Sequence, residues 1–177
     1  MVKKIGKFFA YLLFFLLALM YFTPKESVYY FAEKQLKPFG VLISSEDAID
    51  RGLCLELNHA NISFKAIESA SVESAKIKLL GALNSFEVQN IKLASTASSF
   101  VPLHIENVKI THHIFNPLHV SAEANGEFGE LSADVDLLER TLHIDFIASK
   151  EMKKNYKSTL RNLKKNQKGE YYYDQSF

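Results

Sequence analysis

One stretch near the start of this chain restricts its architecture more than any other. Behind Lys3, Lys4 and Lys7 runs an uncharged segment, Phe8 to Pro24, built from Phe, Leu, Tyr, Ala and Met with little that is polar. A helix from Ile5 to Pro24 rises about 30 Å, at about 1.5 Å per residue, enough to cross the hydrocarbon core of a bilayer. Phe8, Leu12, Phe15, Leu19 and Phe22 are the expected anchor residues. Lys7 can snorkel to the headgroups, and Tyr21 and Phe22 suit the far interface. Lysines ahead of the span hold that end in the cytoplasm, which places residues 25–177 outside it. A cleaved signal peptide also starts with lysines and an apolar core, but Leu19-Met20-Tyr21-Phe22 is bulky where a peptidase needs small side chains. That favours an uncleaved anchor. The lone Cys54 lies far beyond the run, outside any lipidation context.

The chain therefore divides into a stub and anchor, 1–24, and one extracytoplasmic domain, 25–177, of a size that supports a single core. A formal net charge of +1 points to no nucleic-acid partner, and one cysteine without metal-spaced Cys/His sets excludes a disulfide scaffold and a zinc module. Cys54 reads as a small apolar filler in a strand.

Thr23-Pro24-Lys25-Glu26 has the form of a capping box with proline at the first helical position, opening a helix over 24–38. Its stripe of Val28, Phe31, Ala32, Gln35 and Leu36 is expected to pack on the domain, and Pro38 and Gly40 end it. From Val41 the pattern becomes that of strands. Leu57-x-x-Ala60-x-Ile62, Val72-x-x-Ala75-x-Ile77, Val88-x-x-Ile91-x-Leu93 and Ile105-x-x-Val108-x-Ile110 share one apolar motif, and Phe128-x-x-Leu131-x-Ala133 is a stretched copy. Alternation places apolar residues on one face, and the extra residue flips the phase unless the backbone bends there. Successive antiparallel strands bent at the same place would keep one continuous apolar face. A meander with short loops also gives such spacing by chance.

The later chain continues this sheet. Leu118–Ala122 and Leu131–Leu137 alternate, and Leu142–Phe146 follows a Glu139-Arg140-Thr141 turn as a hairpin partner. Met152, Tyr156, Leu160 and Leu163 then predict a basic amphipathic helix over 149–168, before a last strand at Glu170–Asp174. Lys153, Lys157, Arg161 and Lys164 are candidate headgroup contacts on that helix, whose apolar stripe can equally cover the sheet. The expected fold is mainly β with flanking helices: a transmembrane helix, a curved antiparallel meander and a C-terminal amphipathic helix.

Chemistry is scarce. Ser, His and Asp occur in no nucleophile-elbow setting. His104, His112, His113, His119 and His143 read as wet strand residues rather than metal ligands. Gly126-Glu127-Phe128-Gly129 is acidic and lacks the setting of a phosphate loop. The expectation is a protein that is not an enzyme, with no catalytic, cofactor-binding or metal residues and no cofactor.

The order of stub, apolar helix, short helix ending in Phe39-Gly40-Val41, and strands carrying Asn90-Ile91-Lys92-Leu93 and Asn107-Val108-Lys109-Ile110 resembles the type II secretion system protein N family and the wider AsmA-like group of bacterial envelope proteins. The 126–146 hairpin, the basic segment and Gly169-Glu170-Tyr171-Tyr172 follow the same layout. The resemblance implies an inner-membrane anchor, a periplasmic curved sheet, and a role in secretion-machine assembly or lipid handling. Expected partners are membrane lipids and other envelope or secretion-machinery proteins. Two functions follow. The protein presents a β-surface to assembly partners, or it binds lipid in an apolar groove formed by Ile62, Ile77, Ile91, Leu93, Val108 and Ile110, as in lipopolysaccharide-transport proteins.

Overall fold

The computed structural model describes residues 2–65, 67–79 and 83–177, and no side chain before Lys4. The contribution of Lys3 to the lysine-rich stub therefore lies outside the described side chains. The first helix, α1 (Val2–Phe22), contains a 19-residue stretch, Lys4–Phe22, long and apolar enough to cross a membrane, and none of it is buried in the protein. Phe8, Leu12, Phe15, Leu19 and Phe22 are all exposed on it.

The second helix, α2 (Lys25–Leu36), is followed by one 3₁₀ turn, Lys37–Phe39, and Gly40 in the left-handed region. Its start differs from the expected capping box. The Thr23 hydroxyl donates backward to the Leu19 carbonyl at 2.6 Å, and the N–H of Lys25 is accepted instead by Asp50 at 3.1 Å. A side chain from the sheet replaces the local cap. The orientation of α2 also departs from its apolar stripe. Lys25, Tyr29 and Glu33 are buried, whereas Val28, Phe31 and Leu36 are exposed. Successive residues turn by 100°, so the buried face lies about a quarter turn from the stripe. The reason is local. Asp50 and the Met20 and Thr23 carbonyls hold the Lys25 ammonium, and this fixes the roll of the helix.

Eleven strands follow among the described residues and form one antiparallel sheet: β1 (Val41–Ser44), β2 (Asp47–Asp50), β3 (Cys54–Phe64), β4 (Ile67–Leu79), β5 (Leu83–Leu93), β6 (His104–His113), β7 (Asn116–Gly126), β8 (Gly129–Asp136), β9 (Thr141–Ala148), β10 (Lys164–Lys165) and β11 (Tyr171–Ser176). The spatial order is β1-β3-β4-β5-β6-β7-β8-β9-β11-β10, with β2 beside β1 on the outer edge of β3. From β3 to β9 the sheet is a meander, as the alternating runs predict.

The shared motif has a clear structural basis. Residues of the motif (Leu57, Ala75, Val88, Val108 and Leu131) meet Ala124, Phe146 and Tyr171 across the strands in one apolar row from β3 to β11. The adjoining row on the other face is polar: Glu56, Lys76, Glu87, Lys109, Glu123, Ser132, Asp145 and Tyr172. The opposed positions His59, Glu73, Asn90 and Glu106 drop out of the ladder between paired neighbours. His59 and Asn90 take positive φ, 56° and 52°, and the Asn90 amide donates to Glu73 at 2.7 Å. This line of bends sits at the two-residue gap of each motif. It keeps the residues on both sides of the gap on one face.

Two elements cover that face in part. Tyr29 of α2 joins Leu55, Leu57, Ala60, Val72, Ala75 and Val88 in one buried cluster. At the other flank, Met152 and Leu160 pack on Phe146, Ala148 and Tyr171. The expected helix over 149–168 is here two short pieces, α3 (Lys150–Asn155) and α4 (Lys157–Leu160), broken at Tyr156. Ser149 caps α3 by accepting the Met152 N–H, and the Thr159 hydroxyl ties α4 to the Phe100 carbonyl. Beyond Leu160 the chain leaves the helix. Asn166 accepts the N–H groups of Lys168 and Glu170 and donates to the Glu170 carboxylate, building the turn between β10 and β11. Asparagine favours such side-chain turns over a helix interior.

Candidate functional site

The apolar face of the sheet carries the candidate site. Between the α3–α4 cap and the strands lies an open cavity of about 510 Å³ whose exposed wall is apolar. Leu93 of β5, Ile105 of β6, Ala124 of β7, Leu131 of β8, Ile144 of β9 and Tyr173 of β11 form its floor. Val101, Pro102, Phe128 and Leu163 close it from the loop and cap side. The floor exists because inward residues on five of these strands are aliphatic or Ala. The roof stays short because the chain breaks at Tyr156. Beside it a row of Ile77, Phe86, Ile110, Ala122, Ala133 and Ile144 crosses the same face and is buried at none of these positions. The groove and this row give one apolar surface running over the middle strands.

Of the six residues expected to form a groove, Leu93 lines this cavity. Ile62, Ile77, Ile91 and Val108 lie on the same face but pack at the border of the core that Tyr29 covers. Ile110 belongs to the half-exposed row. The six share one face of the sheet, and of them Leu93 borders the cavity. The residues missed, Ile105, Ala124, Leu131, Ile144 and Tyr173, all stand at apolar positions of alternating strands. That alternation could have found them.

The basic candidates separate. Lys153 is on α3, Lys157 on α4 and Arg161 just past it, all exposed. Lys164 is not on a helix at all: it lies on β10 with its ammonium 5.7 Å from the Tyr172 ring. All four sit near the end where β9 finishes and α3 begins. The α1 helix joins the opposite end, where Asp50 and Gly52 border the start of β3. The four basic groups and the anchor do not share an end.

Charges on the polar face are paired across strands. Glu56 sits 3.0 Å from Lys76 and 3.2 Å from Arg51, and these partners, Lys76 foremost, hold its carboxyl below the usual range. His143 lies 2.6 Å from Asp174 and 3.1 Å from Asp145, and the Asp174 bond chiefly raises its pKa. Among the described residues no group of three or more His, Cys, Asp or Glu side chains is placed to hold a metal ion. Under α2, the Tyr29 hydroxyl is buried near the Glu46 and Glu33 carboxylates. Burial first, then the Glu46 and Glu33 carboxylates, push its ionisation upward.

No protein-family model, curated protein or solved structure matches this chain.

Proposed function

We propose that this chain is a non-enzymatic, single-pass protein of the bacterial inner membrane, with its N-terminus in the cytoplasm and a periplasmic sheet that holds a lipid acyl chain on its apolar face. The observation that carries the reading is the apolar cavity of about 510 Å³ under a short roof. Its size falls within the roughly 300–1,000 Å³ of small-molecule sites, and its exposed wall is apolar although Thr159 and Asn162 border it, which suits a hydrocarbon. The lysines in the first two turns of α1 support the orientation. The layout that resembles type II secretion protein N and AsmA-like proteins supports the envelope setting. The test is photo-crosslinking in living bacteria, with a photoreactive residue at Ile105 or Ile144. Capture of lipid is the expected result, and capture of protein alone at both positions would overturn the reading.

A second reading, assembly with an envelope or secretion-machinery protein, draws on the sheet edge. Short β10 pairs only with Tyr171 and Tyr172, which leaves the outer edge of Tyr173–Ser176 without a strand among the described residues. Such an edge accepts a partner strand. A photoreactive residue at Gln175 that captures one defined envelope protein would support this role, and its failure to capture any would remove it.

A further inference from the structure

The hairpin tips at one end of the sheet carry large apolar side chains that their turns do not require. Antiparallel pairing gathers the ends of eight strands there: Leu83 faces His113, His113 faces Asn116, Asp136 faces Thr141, Thr141 faces Ser176, and Cys54 faces Lys78. The β6–β7 tip is Ile114-Phe115 and the β8–β9 tip is Leu137-Leu138. Phe115 is 89% exposed and Leu138 75% exposed. Tight turns are ordinarily filled by Gly, Asn, Asp, Ser or Pro, so these residues are not explained by turn geometry. They are also held outward. Asp136 accepts the N–H groups of Leu138 and Glu139 at 2.8 and 2.9 Å, which fixes the Leu137-Leu138 tip. Phe177, itself exposed, is tied beside that tip by its N–H to the Arg140 carbonyl at 3.0 Å.

The α1 helix leaves the domain at this same end. A side chain at Gly52 would overlap the Tyr21 ring, so the last turn of α1 rests directly on the loop before β3. Leu19 and Met20 share a small cavity with Leu79 and Asn84, at the β4–β5 end. The tips thus share one end of the strands with the point where the anchor meets the domain. The other end lies about 36 Å away, at about 3.3 Å per residue along an eleven-residue strand. It also exposes phenylalanines, Phe64 and Phe100 among them, but no anchor joins it.

From this placement we infer that the β6–β7 and β8–β9 tips, with Phe177, form a second membrane contact that dips into the interface of the bilayer α1 enters. The inference rests on the reading of α1 as a membrane span. Exposed apolar groups clustered beside a span match a lipid interface, and a sheet held upright on three points keeps the apolar groove at a fixed height above the headgroups. The basic α3–α4 cap then faces away from that leaflet.

The test uses the full-length protein with Cys54→Ser, reconstituted in phosphatidylethanolamine/phosphatidylglycerol vesicles. Single cysteines are introduced by Leu12→Cys, Phe115→Cys, Leu138→Cys or Phe100→Cys and labelled with an environment-sensitive fluorophore. Nitroxide lipids should quench the labels at 12, 115 and 138 several-fold, with blue-shifted emission, and leave the label at 100 unchanged. Quenching at 12 with water-like emission at 115 and 138 would overturn the tip contact and leave the span intact. Failure to quench at 12 would overturn the span, and the tip contact with it. Blue-shifted emission at 115 and 138 without lipid quenching would mean burial against protein and would also overturn the proposal.

Discussion

The carboxylate of Asp50 accepts the backbone N–H of Lys25 at 3.1 Å and stands 3.9 Å from the ammonium of the same residue. It accepts the Gly52 N–H as well, at 2.7 Å, so one side chain ties the anchor junction, the start of α2 and the β2–β3 loop together. The Gly52 bond chiefly, then Lys25, holds the Asp50 carboxyl below its ordinary value. A depressed folded pKa gives stability that is fully present above the unfolded value, about 3.9, and is lost as pH falls through the folded one. Asp50→Ala should cost about 1–3 kcal/mol at neutral pH, for the lost cap and the stranded Lys25 charge, and Asp50→Asn less. Thermal unfolding of the full chain in detergent, at neutral pH and in acid, checks this. The deficit of Asp50→Ala should shrink in acid.

The roll of α2 is tested by two aromatic residues two positions apart. Tyr29 is 8% exposed over the first core and Phe31 is 65% exposed. Tyr29→Ala should cost about 3–5 kcal/mol, in the range of large-to-small core changes. Phe31→Ser should stay within about 0.5 kcal/mol, as at ordinary surface sites. Equal losses would mean that α2 docks by its apolar stripe after all.

The two faces of the sheet make a similar contrast. Val88 lies in the buried apolar row and Lys109 in the charged row behind it. Val88→Asp should lose about 2–4 kcal/mol by burying a carboxylate without a partner. Ile110→Asp, at a half-exposed place on the same face, should lose less. Lys92→Ser and Lys109→Ser should change the melting temperature little. Indistinguishable melting temperatures across the set would refute the inside-outside pattern.

The meander was readable because period-two alternation reports directly on a sheet with one wet face. Even the bends at His59 and Asn90 were implied, since the extra residue in each motif demands a correction to the phase. Other features were not local. Nothing near Thr23 reveals that Asp50, on β2, caps α2 and sets its roll. The spacing of Met152, Tyr156, Leu160 and Leu163 is helical, yet Tyr156 breaks the helix so that Met152 and Leu160 both reach the core. Asn166 then builds a turn where a helix was expected. The open groove lies where a cap falls short, and that depends on how two distant segments meet.

His143 gives a second pH signature of opposite sign. It pairs with Asp174 across β9 and β11 and with Asp145 on its own strand, and its pKa is raised, chiefly by Asp174. A raised folded pKa contributes stability that is fully present below the unfolded histidine value and is lost as pH rises through the folded one. Its ring should therefore titrate above the ordinary value of about 6.5 by NMR. His143→Gln should remove the part of the melting-temperature decline that accompanies this titration. An unshifted His143 resonance, or an unchanged pH profile in the variant, would show that the pair does not persist in solution.

The groove itself can be filled without touching a charge. Ala124 lies on its floor between Val108 and Leu131, with open space above the methyl group. Ala124→Leu or Ala124→Phe puts extra carbon into a void rather than into a packed core, so the usual overpacking penalty of about 1–3 kcal/mol should be largely absent. Both variants should fold with melting temperatures close to the parent. Native mass spectrometry of the full chain, released from gentle detergent, should show bound lipid on the parent and progressively less from Ala to Leu to Phe. Lipid retained undiminished in a stable Ala124→Phe protein would place the acyl chain elsewhere on the sheet. A parent free of lipid would leave the apolar face to a protein partner, as the open edge of β11 allows.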